Sequence, residues 1–340
     1  MKTAKLMTWM VAAAMTSAVV APLALAAIAP TATPTPTPTA TLTPESVNDA
    51  VLIAAVASQA KGAAVLRAQI LLERARFSPG EIDAAYGANM HRAIAGFQAS
   101  NGIEATGTVD EATWAALNRD AAPVLSAYAL SDADVAGPFI QIPTDMMGKS
   151  KLPALGYGSA IEALGEKFHA SPSLLQQLNP GKDFTRAGEQ MVVPNIESTA
   201  PMPTVAKVVV DKSDFTVSLL DAADKVIAQY PASTGSEHDP LPVGEWKIQG
   251  VAKSPVFHYN PDLFWDADPK HAKATIPAGP NNPVGVVWVD LSKEHYGIHG
   301  TPEPSKIGKT ESHGCIRMTN WSALAMAAAV KPGLPAILQE

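Results

Sequence analysis

From Pro30 to Pro44 the chain reads PTATPTPTPTATLTP. Proline holds φ near −65° and has no backbone N–H, so its alternation with threonine and alanine bars both a helix and a sheet ladder. It favours instead an extended spacer rising about 3 Å per residue. Residues 27–46 are read as this linker, and whatever folds lies behind it. In front stand Lys2, Lys5 and an apolar stretch from Leu6 to Leu25 without an acidic residue, closed by the small-x-small triplet Ala24-Leu25-Ala26. That order of charge, apolar run and small residues predicts a signal peptide over 1–26 and a mature start at Ala27. An uncleaved membrane anchor is the rival that the length of the run leaves open. No cysteine follows the run, which excludes a lipoprotein anchor. The expected location is the periplasm, with no stable membrane anchor after signal cleavage.

A length of 340 residues implies two or three domains. With 47% apolar and 17% charged residues the chain can bury cores, and 29 prolines and 23 glycines mark breaks between them. The formal charge of −7 provides no general basic field, so nucleic acid is not an expected partner. The single cysteine, Cys315, can make no internal disulfide and no CxxC motif, which leaves it either incidental or chemical.

Between residues 47 and 120 the apolar pattern is helical. Val65, Leu66, Gln69 and Leu72 recur at helical spacing before Pro79-Gly80 breaks the run. Met90, Ile94 and Phe97 share one face behind Asn89 as N-cap, and Trp114 and Leu117 follow the N-cap Asp110. Three short helices around one small core are expected. With its Gly80-x-Ile82-Asp83 turn, Gly87, Phe97-Gln98, Gly107-x-Val109-Asp110 and Thr113-Trp114, this segment closely resembles the peptidoglycan-binding type 1 family. Residues 150–196 carry Ile161, Leu164 and Phe168 on one helix, a second helix opening at Ser171-Pro172, and a closing strand Met191–Pro194. The phrase LLQQLNPGKDFTRAGEQMVVPN resembles part of a LysM module, a βααβ unit that binds N-acetylglucosamine chains elsewhere. The family's usual opening is replaced by Gly158-Ser159-Ala160, so a structural spacer is the alternative.

From Val205 onwards the period changes to two. Phe215, Val217 and Leu219 alternate with Thr216, Ser218 and Leu220, Ala222-Ala223-Asp224 makes a turn, and Val226 and Ala228 continue beyond it. Further strand-like runs at Trp246–Val251 and Val284–Leu291, with a helix after Thr319, predict a mostly-β sandwich or barrel-like domain over 204–340. Within it, YGIHGTPEPSKIGKTESHGCIRM brings two histidines and the only cysteine close together in sequence. A thiol with a reference pKa of about 8.5 is mostly protonated at neutral pH, and an adjacent histidine can take its proton to give the nucleophilic thiolate. His299 ends the run Tyr296-Gly297-Ile298, so a rigid strand can aim its ring at Cys315. Gly314 lets the backbone pass close to a substrate, and amides around Cys315 can stabilise a tetrahedral oxyanion. The reaction this implies is acyl transfer.

Rival explanations are an inert buried thiol and a zinc site on His299, His313 and Cys315, for which spacing suggests no fourth ligand. A papain-like peptidase is disfavoured because its cysteine precedes its histidine. His91, His169, His238, His258, His271 and His295 carry no paired motif and read as surface or loop residues.

The stretch from about Thr204 to Gln339 closely resembles the L,D-transpeptidase catalytic domain. The resemblance runs through Ser233-Thr234-Gly235, Leu241-Pro242-Val243-Gly244, Pro280-Asn281-Asn282-Pro283-x-Gly285, Ile298-His299-Gly300-Thr301 and Ser312-His313-Gly314-Cys315-Ile316-Arg317-Met318. It implies Cys315 as nucleophile and His299 as proton acceptor, oriented by the Gly300 carbonyl. It also implies a substrate-binding or oxyanion role for Gly300, Ser312, His313, Gly314 and Arg317, the last as a bidentate cation for a substrate carboxylate. Leu241 stands where the family often has threonine, and Arg317 where one branch has asparagine.

The fold class implied is multidomain α+β: a small three-helix wall-binding domain, a small LysM-like βααβ unit and a C-terminal mostly-β L,D-transpeptidase domain. By the same resemblance the substrates are peptidoglycan stem peptides and glycan strands, joined as 3-3 cross-links without metal or organic cofactor, and carbapenems acylate the cysteine. Acyl transfer to water, as an L,D-carboxypeptidase, or to the lysine of an outer-membrane lipoprotein is the enzymatic alternative. A peptidoglycan-binding scaffold with an unused thiol is the non-enzymatic one.

Overall fold

The computed structural model describes residues 42–198 and 200–340. The predicted signal peptide and most of the predicted linker lie outside the described residues. Among those described, no helix is long and apolar enough to cross a membrane.

Order begins earlier than residue 47. Thr43 caps helix α1 (Pro44–Asn48) in a reciprocal box: its Oγ accepts from the Ser46 N–H at 3.2 Å, and the Ser46 Oγ accepts from the Thr43 N–H at 3.1 Å. Proline suits the first helical turn, where no N–H is needed, so the last residues of the Pro/Thr tract start the domain rather than the linker. Helices α2 (Ala63–Arg74), α3 (Ala88–Ser100) and α4 (Glu111–Leu117) follow, with Leu66, Ile70, Met90, Ile94 and Trp114 at their shared centre. Asp110 caps α4 by accepting from the Thr113 N–H at 2.8 Å. The N-cap of α3 is Gly87, not Asn89. Asn89 lies inside the helix, and its amide is spent on a contact far along the chain.

Strand β1 (Leu125–Ala129) precedes two short helices, α5 (Asp132–Val135) and α6 (Met146–Lys149). Helices α7 (Ala160–Lys167) and α8 (Pro172–Leu178) then lead to strand β2 (Gln190–Pro194). β2 pairs antiparallel with β1 in the register Leu125↔Pro194 to Ala129↔Gln190. The first strand of the βααβ unit therefore lies upstream of residue 150, and the residues between Ala129 and α7 are an insertion into it. The helical domain and this unit do not have separate cores. Leu66, Phe77 and Trp114 belong to one apolar cluster with Leu164, Leu174, Leu178 and Met191.

The remaining strands are β3 (Lys207–Asp211), β4 (Thr216–Leu220), β5 (Val226–Pro231), β6 (Gly244–Lys253), β7 (Phe257–Tyr259), β8 (Ala274–Ile276), β9 (Val287–Leu291), β10 (Gly297–His299), β11 (Ile316–Arg317) and β12 (Pro335–Gln339). Eight form one sheet in the order β11-β10-β9-β6-β12-β3-β4-β5, and β7 and β8 form a separate hairpin. The ten-residue β6 pairs β12 through its first half and β9 through its second, with a register shift between Ile248 and Gly250. A bulge there turns the sheet, so one strand serves both halves. Helix α9 (Asn320–Ala329), capped by Thr319, packs on β9 and β10 and closes a core of Val208, Val217, Val289, Ile298 and Met326.

The helical domain covers the β5 edge of this sheet. The Ser78 N–H donates to the Gln229 carbonyl and the Gln229 N–H to the Arg76 carbonyl, both at 2.8 Å, while Ser100 Oγ donates to the Val226 carbonyl at 2.8 Å. On the neighbouring β4, Thr216 and Leu220 are buried along with Val217 and Leu219, so that strand lacks the polar outer face that alternation suggests.

Candidate active site

β10 and β11 are parallel neighbours in the register Ile298↔Ile316 and His299↔Arg317. Side chains in register on paired strands share a face, and the face alternates along each strand. Cys315, one residue before Ile316, therefore stands across from Gly297 on the face that also carries His299 and Arg317. On the other side β9 places Trp288 opposite His299. Its ring stacks on the imidazole at 5.4 Å and 13° and lies across Gly297, where a Cβ would meet it at 2.4 Å. Glycine at 297 makes room for the tryptophan that walls one side of the histidine.

His299 is buried, and its Nδ1 lies 2.7 Å from the Gly300 carbonyl. A carbonyl only accepts, so Nδ1 carries the proton and Nε2 keeps the lone pair. Burial brings the imidazole pKa down to about 4; the Gly300 bond works against that shift and the Arg317 cation adds to it. Burial pushes the half-buried Cys315 thiol up from its ordinary value, opposed by the Gly297 N–H and by the Arg317 guanidinium. Sγ also has the His295 carbonyl at 3.7 Å. At neutral pH this is a neutral imidazole with a free lone pair on the same face as a protonated thiol, groups of the kind that can pass a proton from sulfur to nitrogen as the sulfur attacks.

The motifs that are distant in sequence converge here through backbone pairing. The Ser312 N–H donates to the Thr234 carbonyl at 2.8 Å, Ser233 and Arg317 exchange two bonds of 2.9 Å, and Ser312 Oγ donates to the Cys315 carbonyl at 2.5 Å. Gly314 has φ +97°, and a Cβ there would lie 3.0 Å from the Tyr296 ring. Gly285 at φ +62° and Gly300 both pack on Asn320, whose Oδ1 stands 2.1 and 2.2 Å from where their Cβ atoms would be. Asn320 also accepts from the Val286 N–H at 3.2 Å and donates to Glu166 Oε1 at 3.1 Å. His313 is exposed; its Nε2 lies 2.9 Å from Asp266 Oδ1, and its ring meets Phe264 edge-on at 5.2 Å. Arg317 bonds to Thr310 Oγ and the Glu311 carbonyl, while its Nε is buried without a partner. Among the described residues, no group of three His, Cys, Asp or Glu side chains converges in a way that could hold a metal ion.

Of the histidines read as surface residues, His169 instead sits at a domain boundary, paired with Glu73 at 2.7 Å and stacked on Trp321 at 5.0 Å. Sequence reasoning missed Trp288 and Asp266, which belong to no motif. It also missed Asn320, whose signal was its place directly after the cysteine block, at the start of the predicted helix.

A face bearing a thiol, a buried neutral imidazole and a cation belongs to the class of thiol–imidazole sites. Residues 206–338 match the family described as "L,D-transpeptidase catalytic domain", and residues 61–117 match "Putative peptidoglycan binding domain". The chain is 32% identical to "Putative L,D-transpeptidase YkuD" of Bacillus licheniformis over 52% of its own length and 91% of that protein's. It is 23% identical to "Probable L,D-transpeptidase YbiS" of Escherichia coli strain K12, over 53% and 61% of the two chains. An L,D-transpeptidase from Mycobacterium smegmatis aligns in structure with a TM-score of 0.32 and 21% identity, over 47% of this chain and 76% of that one. The chain belongs to the L,D-transpeptidase family.

Proposed function

We propose that this protein forms 3-3 cross-links in peptidoglycan by way of a thioester on Cys315. Cys315 Sγ attacks the carbonyl of the third residue of a tetrapeptide stem while His299 Nε2 takes its proton; that proton leaves on the amine of the expelled D-alanine. The amine of a second stem then attacks the thioester, loses its proton to His299, and Cys315 recovers it as the thiol. Gly300 fixes the imidazole tautomer, Ser312 and Gly314 shape the backbone where an oxyanion forms, and Arg317 receives a substrate carboxylate. His313 borders the same groove. No metal or organic cofactor takes part. The helical domain and the βααβ unit hold the enzyme against peptide stems and glycan strands, raising the local concentration of an insoluble substrate. The site of action is the cell wall, outside the cytoplasmic membrane.

The observation that carries this reading is the position of His299: its Nδ1 proton is held by Gly300, which leaves Nε2 as a base on the face where Cys315 emerges. The test is to incubate the full mature chain with a disaccharide-tetrapeptide and follow protein and products by intact mass, with Cys315→Ala alongside. Cross-linked dimer, released D-alanine and an adduct confined to the wild-type protein are expected. Tripeptide without dimer would make water or a protein lysine the acceptor, and folded protein with neither adduct nor product would leave only a wall-binding scaffold.

A further inference from the structure

The insertion between β1 and α7 reaches the catalytic face. Together with the β7–β8 hairpin it forms a small apolar cluster of Leu155, Tyr259 and Ile276, against which Met146, Leu152 and Phe264 pack. The Leu155 N–H donates to the Ala278 carbonyl at 2.9 Å, which ties this segment to the catalytic domain. Beside this cluster a cavity of about 430 Å³ is lined from one side by Met146 and Lys149 of α6 and from the other by His313 and Arg317.

The charges around the cavity are not evenly committed. Asp266 is held by His313, Glu303 by Lys306 at 2.5 Å, and Asp145 by the Gly148 N–H at 2.7 Å. Asp268 accepts from the Lys270 N–H at 2.9 Å, and His271 Nδ1 faces the Tyr259 hydroxyl at 3.0 Å. Lys149 is half-buried and, among the described residues, has no ion-pair partner within 4.0 Å, while Arg317 keeps its buried Nε unbonded. Asp145 and Asp268 are thus engaged by backbone N–H groups, while the two lining cations without a carboxylate, Lys149 and Arg317, come from two domains. Burial pulls the Lys149 ammonium below its usual value, and the Glu303 and Asp145 charges work against that shift.

We propose that Lys149 is a substrate-binding residue of this site, pairing with Arg317 to hold a carboxylate of the peptide stem, so that the inserted segment of the wall-binding half completes the donor groove. This rests on the donor chemistry proposed above. A half-buried cation without a partner is partly desolvated at a cost, and a carboxylate reaching both groups makes charge-assisted bonds stronger than neutral ones. Lys149 lies outside every catalytic motif, and only the fold of the insertion brings it to this cavity.

The experiment measures, by calorimetry, a tetrapeptide stem binding to the full chain carrying Cys315→Ala, with and without Lys149→Met or Lys149→Arg. Binding is expected to weaken about tenfold in Lys149→Met and to stay within about threefold in Lys149→Arg, since removing one charged hydrogen bond costs this much. A stem with its free carboxylates amidated should bind both Lys149 and Lys149→Met chains equally. Unchanged binding in Lys149→Met, an equal loss for acid and amidated stems, or no stem binding at all would overturn the inference. Turnover by the wild-type chain separates the two proposals: Lys149-dependent binding without D-alanine release removes the function alone. Release of D-alanine with an unchanged KM in Lys149→Met removes this inference alone.

Discussion

Burial acts on the Cys315 thiol and the His299 imidazole in the direction that keeps both neutral, and the charge of one cation acts on both. Arg317 lowers the pKa of Cys315 and of His299 alike, so Arg317→Met should raise both. The alkaline limb of Cys315 alkylation by iodoacetamide is expected to move to higher pH in that variant, and the His299 ring titration, followed by NMR, to move up as well. His299 also couples to stability. It binds its proton at about 4 when folded and at 6.5 as a free group, so its contribution is complete above about 6.5 and is lost as pH falls through about 4. The loss is roughly 3 kcal/mol at full protonation. His299→Gln should therefore flatten the acid side of a plot of Tm against pH, and an unchanged acid slope would contradict the burial argument. The motifs carrying His299 and Cys315 were legible as sequence blocks, but their placement on one face comes from the β10–β11 pairing. Trp288 was not legible, because a cross-strand partner is set by register.

At the scale of elements, the start of α9 is the joint between the halves of the molecule. Asn320 holds the Gly285 turn, backs Gly300 and meets Glu166 of α7. Burial raises the Glu166 carboxyl to about 8, helped by the Glu162 and Glu81 charges and opposed by the Asn320 bond. A carboxyl protonated more readily when folded stabilises the fold at low pH, and that contribution is lost as pH rises from about 4.5 through about 8. Glu166→Gln is accordingly expected to raise Tm at pH 9 and leave it unchanged at pH 5. Gly285→Ala should cost about 2 kcal/mol, since it combines a left-handed backbone with a Cβ driven into Asn320; urea unfolding would measure it. The helices of the first domain were readable from period and caps. Asn89 was misread as a cap, because its real use, donating to the Ile307 carbonyl at 2.8 Å, lies more than 200 residues away.

At the scale of the whole molecule, the described residues belong to one compact unit rather than to separately folded domains. The helical domain shares its core with the βααβ unit, covers the β5 edge, and grips the loop between His299 and Cys315 through Asn89 and Arg92. An isolated segment 204–340 would expose β5, and edge strands with free N–H and C=O groups pair with other chains. That segment is expected to aggregate at concentrations where the full chain is monodisperse by size-exclusion chromatography. Local order could be read from residues alone: the helical and strand periods, the cap at Asp110, and the helix starts at Ser171-Pro172 and after Thr319. Each depends on a few neighbouring residues and on covalent geometry. The shared core, the covered sheet edge, Trp288 over His299 and the cavity that Lys149 and Arg317 both line were settled by packing. Those contacts exist because apolar faces from distant segments had to be buried against one another, and no short stretch of sequence carries that information.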